Sequence, residues 1–193
     1  MYRLTPRMQQ ILRQQLAKYH DLFSRGCSGT CLEEMIFQSI RLANDAQHYA
    51  TWKRVGHDSE ADICVTVNGE TYPLDIKSGI VKGRYLKLSG PRLGRFEGDL
   101  EQITAYLNSR QPEVLSVSYR SVAEDRGVNR YQIIHVDATY FHDLNPTSWE
   151  QVRKRWEQTN QYGVISLLNP VMGWKLRWKV PEELVDMYGE FFV

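Results

Sequence analysis

Two aspartates and a lysine, Asp62, Asp75 and Lys77, are the residues whose types and spacing could do chemistry in this chain. Between the aspartates lies Asn68-Gly69, which joins two apolar-rich β runs, Asp62–Val67 (DICVTV) and Thr71–Lys77 (TYPLDIK). Asn-Gly between such runs predicts a β-hairpin, because both central residues of a type I′ turn need positive φ. A two-residue loop then fixes the register. Val67 faces Glu70, Val65 faces Tyr72, Ile63 faces Leu74 and, by extension, Asp62 faces Asp75. Paired residues share a face, so the two carboxylates are expected side by side with Cβ atoms roughly 5 Å apart. Lys77, two residues beyond Asp75, lies on that face too. Like charges so placed repel. On a solvated face the lysine would simply offset the repulsion; the alternative is a cation site. Carboxylate oxygens suit Mg²⁺, which keeps several waters and is commonly held by one or two carboxylates plus phosphate.

Several elements must position these residues. Thr5-Pro6 opens a helix predicted over 6–23, with Met8, Ile11, Leu12, Leu16 and Tyr19 at helical spacing. Residues 25–29 read as a flexible break. Thr30 and Glu33 form a capping box that opens a second helix, to about residue 44, with Leu32, Ile36, Ile40 and Ala43 as its stripe. Glu33 lies at the edge of that stripe, so it is either the partner of the cap or a carboxylate turned toward the hairpin, while Glu34 points away. Residues 50–56 read as an edge strand or an irregular lead into the hairpin. From Ile76 to Phe96 there is no acid, yet Lys77, Lys82, Arg84, Lys87, Arg92 and Arg95 are present. Gly79, Gly83, Gly90, Gly94 and Pro91 predict that much of this stretch is a loop, either solvated or suited to phosphate contact.

Farther on, Gly98-Asp99 caps a helix over 100–108. Strands are predicted over 114–119 and 131–136, joined by a turn around Gly127. Thr147-Ser148 caps a helix over 149–158 carrying Arg153, Lys154 and Arg155. Residues 164–168 read as a strand, and 174–179 as a strand with one apolar and one basic face. Pro181 starts a last helical turn or two.

Composition bounds the class. The 193 residues carry a formal net charge of +1, with 42% apolar and 24% charged residues, which fits one globular domain with a sizeable core. No run approaches the roughly 20 apolar residues of a membrane span, and the polar, amphipathic start is unlike a signal peptide. Three cysteines, an odd number, point to a reducing compartment, so a cytoplasmic protein is expected. Cys27 and Cys31 lack a second cysteine pair for zinc, Cys64 falls on the core face, and His48, His57, His135 and His142 show no metal or triad spacing.

The order of these residues resembles the PD-(D/E)XK nuclease superfamily: Glu33 on a helix, Asp62 at the head of a strand, and Asp75-Ile76-Lys77 on the next strand. Ala61 stands where the family name has proline, and Asp75 is an acid the triplet allows. The resemblance covers about residues 30–108. It implies an α/β (α+β) fold with a central mixed β-sheet flanked by helices and a restriction-endonuclease-like αβββαβ core. It also implies one nuclease domain over 1–193, with a catalytic core at about 30–136 and a recognition and dimerisation part at about 137–193. Asp62 and Asp75 would hold Mg²⁺, for which Mn²⁺ could substitute. The Ile76 carbonyl and Glu33 are further ligands, and Lys77 would orient or help deprotonate the attacking water. Gln102, with Tyr106, resembles the Gln-x-x-x-Tyr element of the RecB-like branch. Lys82, Arg84, Lys87, Arg92 and Arg95 would contact the DNA backbone.

The activity implied is a Mg²⁺-dependent endonuclease on double-stranded DNA, foremost a homodimeric type II restriction enzyme accompanied by a cognate DNA methyltransferase. A structure-specific repair, recombination or phage nuclease is the alternative, supported by a Gly29-to-Glu33 spacing that resembles archaeal junction resolvases. A catalytically inactive DNA-binding module is the third reading.

Overall fold

The computed structural model describes residues 1–24, 28–52, 61–82, 84–110, 113–123, 128–136, 143–168, 173–181 and 184–193. In chain order the elements are α1 (Pro6–Ser24), α2 (Ser28–Ala43), β1 (His48–Trp52), β2 (Ile63–Val67), β3 (Glu70–Lys82), β4 (Tyr85–Arg92), α3 (Leu100–Asn108), β5 (Glu113–Ala123), β6 (Val128–Val136), β7 (Glu150–Val152), β8 (Arg155–Asn160), β9 (Gly163–Leu168), β10 (Lys175–Pro181) and β11 (Asp186–Phe192). The fold is α+β, as the sequence predicts. Its residues form two compact units: Met1–Ser78 with Pro112–Asp137 and Asp186–Val193, and Gly79–Gln111 with Ala138–Val185.

The first unit is a sheet in the order β11-β6-β5-β3-β2-β1, with α1 and α2 packed on it. The helices form because Met8, Leu12 and Leu16, then Leu32, Ile36 and Ile40, recur on one face. All are buried with Ile63, Val65, Leu74, Ile76, Leu115, Val117 and Ile133 in one cluster. Each such side chain contributes roughly 1.5–3 kcal/mol by leaving water. Helix α2 starts at Ser28, not at Thr30. Ser28 and Gly29 are therefore helical rather than a break, and Thr30 sits inside the first turn instead of at a cap; residues 25–27 lie outside the described set. The expected strand at 50–56 is β1, ending at Trp52; residues 53–60, with His57 and Asp58, also lie outside it. Strands β5 and β6 are longer than predicted, and residues 124–127 of the turn between them are not described. Pro181 ends β10, residues 182–183 of the expected helical turn lie outside the described set, Leu184 is in a 3-10 turn, and the chain then forms a strand: β11 pairs antiparallel with β6 from Asp186↔His135 to Phe192↔Arg130. The pairing covers the edge of β6 that would otherwise expose unpaired backbone groups.

In the second unit the tail of β3 (79–82) leads a sheet ordered β3-β4-β10-β9-β8-β7, each pair antiparallel. The stretch expected as a glycine-rich loop is thus largely a strand pair. In β4, buried Leu86 and Leu88 alternate with exposed Tyr85, Lys87 and Ser89, and this period-2 pattern outweighs the glycines. Gly90 is explained by a neighbour: a Cβ there would run into the Leu176 side chain on β10. The helix expected over 149–158 is also absent from its place. A 3-10 turn, Pro146–Ser148, is capped by the Asn145 side chain and followed by the β7–β8 hairpin, which turns at Arg153 with φ +58°. Trp149 is buried, its indole N–H donating to Thr104 Oγ1 at 2.8 Å. Gln158 is tied to the Asn145 backbone at both ends of its amide, at 2.7 and 2.8 Å. These tertiary anchors override local helix signals. Helix α3 matches its predicted bounds, with Asp99 as N-cap accepting from Gln102 N. Strands β9 and β10 lie where expected within a residue or two. Among the described residues no helix is long and apolar enough to cross a membrane.

Candidate functional site

The hairpin that carries the site turns on Asn68 and Gly69, at φ +51° and +87°, the backbone a type I′ turn requires. Its register runs from Val67↔Glu70 to Ile63↔Leu74 as the sequence predicts. Pro73 falls at a non-hydrogen-bonded position of this ladder, counting from the turn, so its missing N–H costs the β2–β3 pairing nothing.

The expected face-to-face pair of Asp62 and Asp75 does not form. The ladder stops at Ile63, and Asp62 N donates to Leu74 O at 2.9 Å, so Asp62 is set back by one position. From there its carboxylate reaches along β3, and Asp62 Oδ2 accepts from Ile76 N at 2.7 Å. The side chain thereby takes over a backbone group that the ended strand cannot satisfy. This arrangement also avoids two carboxylates directly opposite one another.

The three side chains still converge, with Lys77 at the centre. Its ammonium pairs with Asp75 Oδ1, lies 3.7 Å from Asp62 Oδ2 and donates to the Ile76 carbonyl at 3.4 Å. Asp75 is 7% exposed, whereas the Lys77 and Asp62 side chains are 23% and 26% exposed. Burial pushes the Asp62 carboxyl up to about 7; Lys77 opposes the rise, Asp75 and Glu33 add to it, and the Ile76 N–H lowers it.

Glu33, half-buried on α2, belongs to the same electrostatic group. Its carboxyl is raised by burial first, with Lys77 lowering it and Asp75 raising it. The capping-box account of Glu33 does not hold, because α2 begins five residues earlier at Ser28. Glu34 is exposed and bonded to Gln38 on the outer face, as its wheel position predicts.

The donor set fits a hard divalent cation. Two carboxylate oxygens and the Ile76 carbonyl surround one point, which the Lys77 ammonium marks. Among the described residues no group of three or more His, Cys, Asp or Glu side chains is arranged to hold a metal, so a Mg²⁺ here would take two carboxylates, the carbonyl, water and substrate oxygens, the mixed shell that ion favours.

The remaining candidates belong to the second unit. Arg84, Lys87 and Arg92 are exposed, and Lys82 ends β3. Arg95 is exposed but stacked, its guanidinium 4.9 Å from the Phe96 ring centroid and 4.6 Å from that of Tyr106. Gln102 is engaged in the α3 cap: its amide Nε2 donates to Asp99 Oδ2 at 2.8 Å. Tyr106 accepts from Arg110 Nη1 through its hydroxyl at 2.9 Å. The Gln102/Tyr106 spacing is therefore accounted for by capping and by an arginine–aromatic stack.

Sequence reasoning missed a second titratable cluster in the first unit. Glu113 accepts from His135 Nε2 and from Tyr2 N, each at 3.0 Å, and His135 is 1% exposed. The signal available was the cross-strand relation of β5 and β6, which pairs His135 with Leu115. Comparison of the chain with family models, curated proteins and solved structures gives no match.

Proposed function

We propose that this chain is a divalent-metal-dependent nuclease that hydrolyses phosphodiester bonds of double-stranded DNA, of the PD-(D/E)XK kind. One observation carries the reading: Asp62, Asp75 and the Ile76 carbonyl turn oxygens toward a single point on one strand edge, with a lysine at that point and a third carboxylate, Glu33, within electrostatic reach. A bound Mg²⁺ or Mn²⁺ would polarise the phosphate and lower the pKa of a coordinated water. Asp62, Asp75 and the Ile76 carbonyl would be the protein's ligands to the ion. Lys77, which touches all three, would orient the attacking water or offset charge that develops on the phosphate. Glu33 would support a second ion or a water.

Within this reading the chain acts as a cytoplasmic, homodimeric type II restriction enzyme paired with a cognate methyltransferase. A structure-specific repair or recombination nuclease uses the same centre on a different substrate. The test is incubation with mixed genomic DNA and Mg²⁺, followed by sequencing of fragment ends. A fixed sequence at the ends supports restriction, while cutting confined to flaps, junctions or ends supports repair. Absence of cleavage on all of these substrates, with Mg²⁺ or Mn²⁺, would leave a DNA-binding module and refute the enzyme.

A further inference from the structure

The outer face of the second unit's sheet carries charges that the fold does not use. Cross-strand partners share a face, and β4 and β10 pair Tyr85 with Pro181, Lys87 with Lys179 and Ser89 with Arg177. The opposite face is the apolar one, with Leu86, Leu88, Leu176, Trp178 and Val180 buried. On the outer face Tyr85 is 42% exposed, Lys87, Ser89 and Arg177 are exposed and Lys179 is half-buried. Lys87 and Lys179 stand directly opposite each other, a like-charge relation that destabilises a sheet. Among the described residues no carboxylate pairs with Lys87, Lys179 or Arg177. Two acids share the Arg177 row: Glu157, which is taken by Ser166 Oγ at 2.8 Å and Arg155 Nε at 2.7 Å, and Glu150, which stands opposite Glu157 on β7, three strands away from Arg177. Three cations in adjacent rows with an exposed aromatic ring at one end make a surface that complements a polyanion with stackable rings.

We propose that this face is a docking platform for single-stranded DNA, with Tyr85 stacking on a base and Lys87, Lys179 and Arg177 following the backbone phosphates. Single strands offer a π-face at every nucleotide and bind where cations and aromatic rings alternate. Duplex DNA is a poorer match, because its major groove admits a helix or a two-stranded ribbon, and here the cations lie on the broad face of a sheet of more than two strands. The platform shares Lys87 with the backbone contacts expected of the nuclease reading, adds Tyr85, Arg177 and Lys179 to it, and does not require catalysis.

The test is fluorescence anisotropy of a labelled oligothymidylate titrated with the full chain in metal-free buffer across a salt series. The Lys87→Ala/Lys179→Ala variant is expected to weaken binding and to flatten the log–log salt slope by roughly 1.4, about 0.7 for each lost phosphate contact on a single strand. Tyr85→Ala is expected to weaken binding by roughly 5- to 150-fold with the slope unchanged. These side chains lie on the solvent side of the sheet, and unchanged thermal unfolding confirms that the variants are folded. Wild-type-like oligothymidylate binding by both variants would overturn the proposal, as would an equal or larger loss of binding to a duplex of the same length in those variants, or preference for anionic lipid vesicles over the oligonucleotide. Because binding is read without metal, oligothymidylate binding with no cleavage under any condition would refute the nuclease and keep the platform.

Discussion

Asp62→Asn separates a carboxylate kept for chemistry from one kept for structure. Asparagine retains an oxygen to accept the Ile76 N–H, at 2.7 Å in the native chain, and removes the ionisation. The folded-state pKa of Asp62 is about 7 against an ordinary 3.8, raised chiefly by burial. Because the folded value is the higher one, the folded chain holds a proton that the unfolded chain has already released between those values. Stability therefore falls as pH rises from about 4 to about 7 and levels off above. A rise of that size corresponds to about 4 kcal/mol at most; with Lys77 adjacent and a quarter of the side chain exposed, about 2 kcal/mol is the working figure. Urea unfolding at about pH 8 without metal should show Asp62→Asn more stable than the native chain by about 2 kcal/mol, with the gain absent at about pH 4. Adding Mg²⁺ at the higher pH should stabilise the native chain and not the variant, by mass action on the folded state. Equal destabilisation by Asp62→Asn at both pH values would show that the charge itself holds the fold together and would refute the argument.

Other outcomes follow from the same geometry. Under the proposed nuclease function, Asp75→Asn should retain DNA binding in a shift assay while cleavage falls by roughly 10²-fold or more, the cost of losing one electrostatic element at a reacting phosphate. Lys77→Met leaves Asp75 without its ammonium and should lower stability by roughly 3 kcal/mol in urea unfolding, with Mg²⁺ restoring stability but not activity. Glu113 is raised by burial, yet hydrogen bonds from His135 and Tyr2 hold it below its ordinary 4.5; the stability it contributes is present above that value and lost as pH falls through the folded one. Glu113→Gln should therefore flatten the acid limb of the stability profile, and native-like acid sensitivity in the variant would refute this. Gly90→Ala should destabilise by roughly 1–3 kcal/mol through overpacking against Leu176, measurable by thermal unfolding.

The parts of the fold that were legible in the sequence are those fixed by neighbours in the chain. Asn68-Gly69 dictates its own turn, and the turn dictates the register as far as Ile63↔Leu74. Gly98 and Asp99 announce α3 because the cap is a local hydrogen bond. The failures share a different cause. Gly90 and Pro91 argue for a loop until β10 is alongside; then the glycine is a close approach and the segment is a strand. Residues 149–158 look helical until Trp149 finds Thr104 and Gln158 finds Asn145, partners 45 and 13 positions away. The C-terminal segment becomes β11 only because β6 has an edge to cover. At the site itself the local rule held up to the last ladder pair and then stopped: extending the register assigned the right residues to the cluster but missed the setback of Asp62, which depends on where the ladder ends.

The charge balance of the cluster argues for a ligand more strongly than the motif does. By formal charge the cluster holds three acids, Glu33, Asp62 and Asp75, and one base, Lys77, with Glu33 within electrostatic reach of Lys77 and Asp75, an excess of negative charge that one divalent cation would offset. A purely structural cluster has no need of this imbalance. The Ile76 N–H would be satisfied by an uncharged oxygen at position 62, and Lys77 needs one carboxylate partner, which Asp75 provides. Burial raises both Asp62 and Glu33, so each adds an energetic cost to the folded chain at neutral pH that neutral residues would not. A cation at the point now marked by the Lys77 ammonium would favour both ionised carboxyls and remove that cost, making the stability of this cluster metal-dependent.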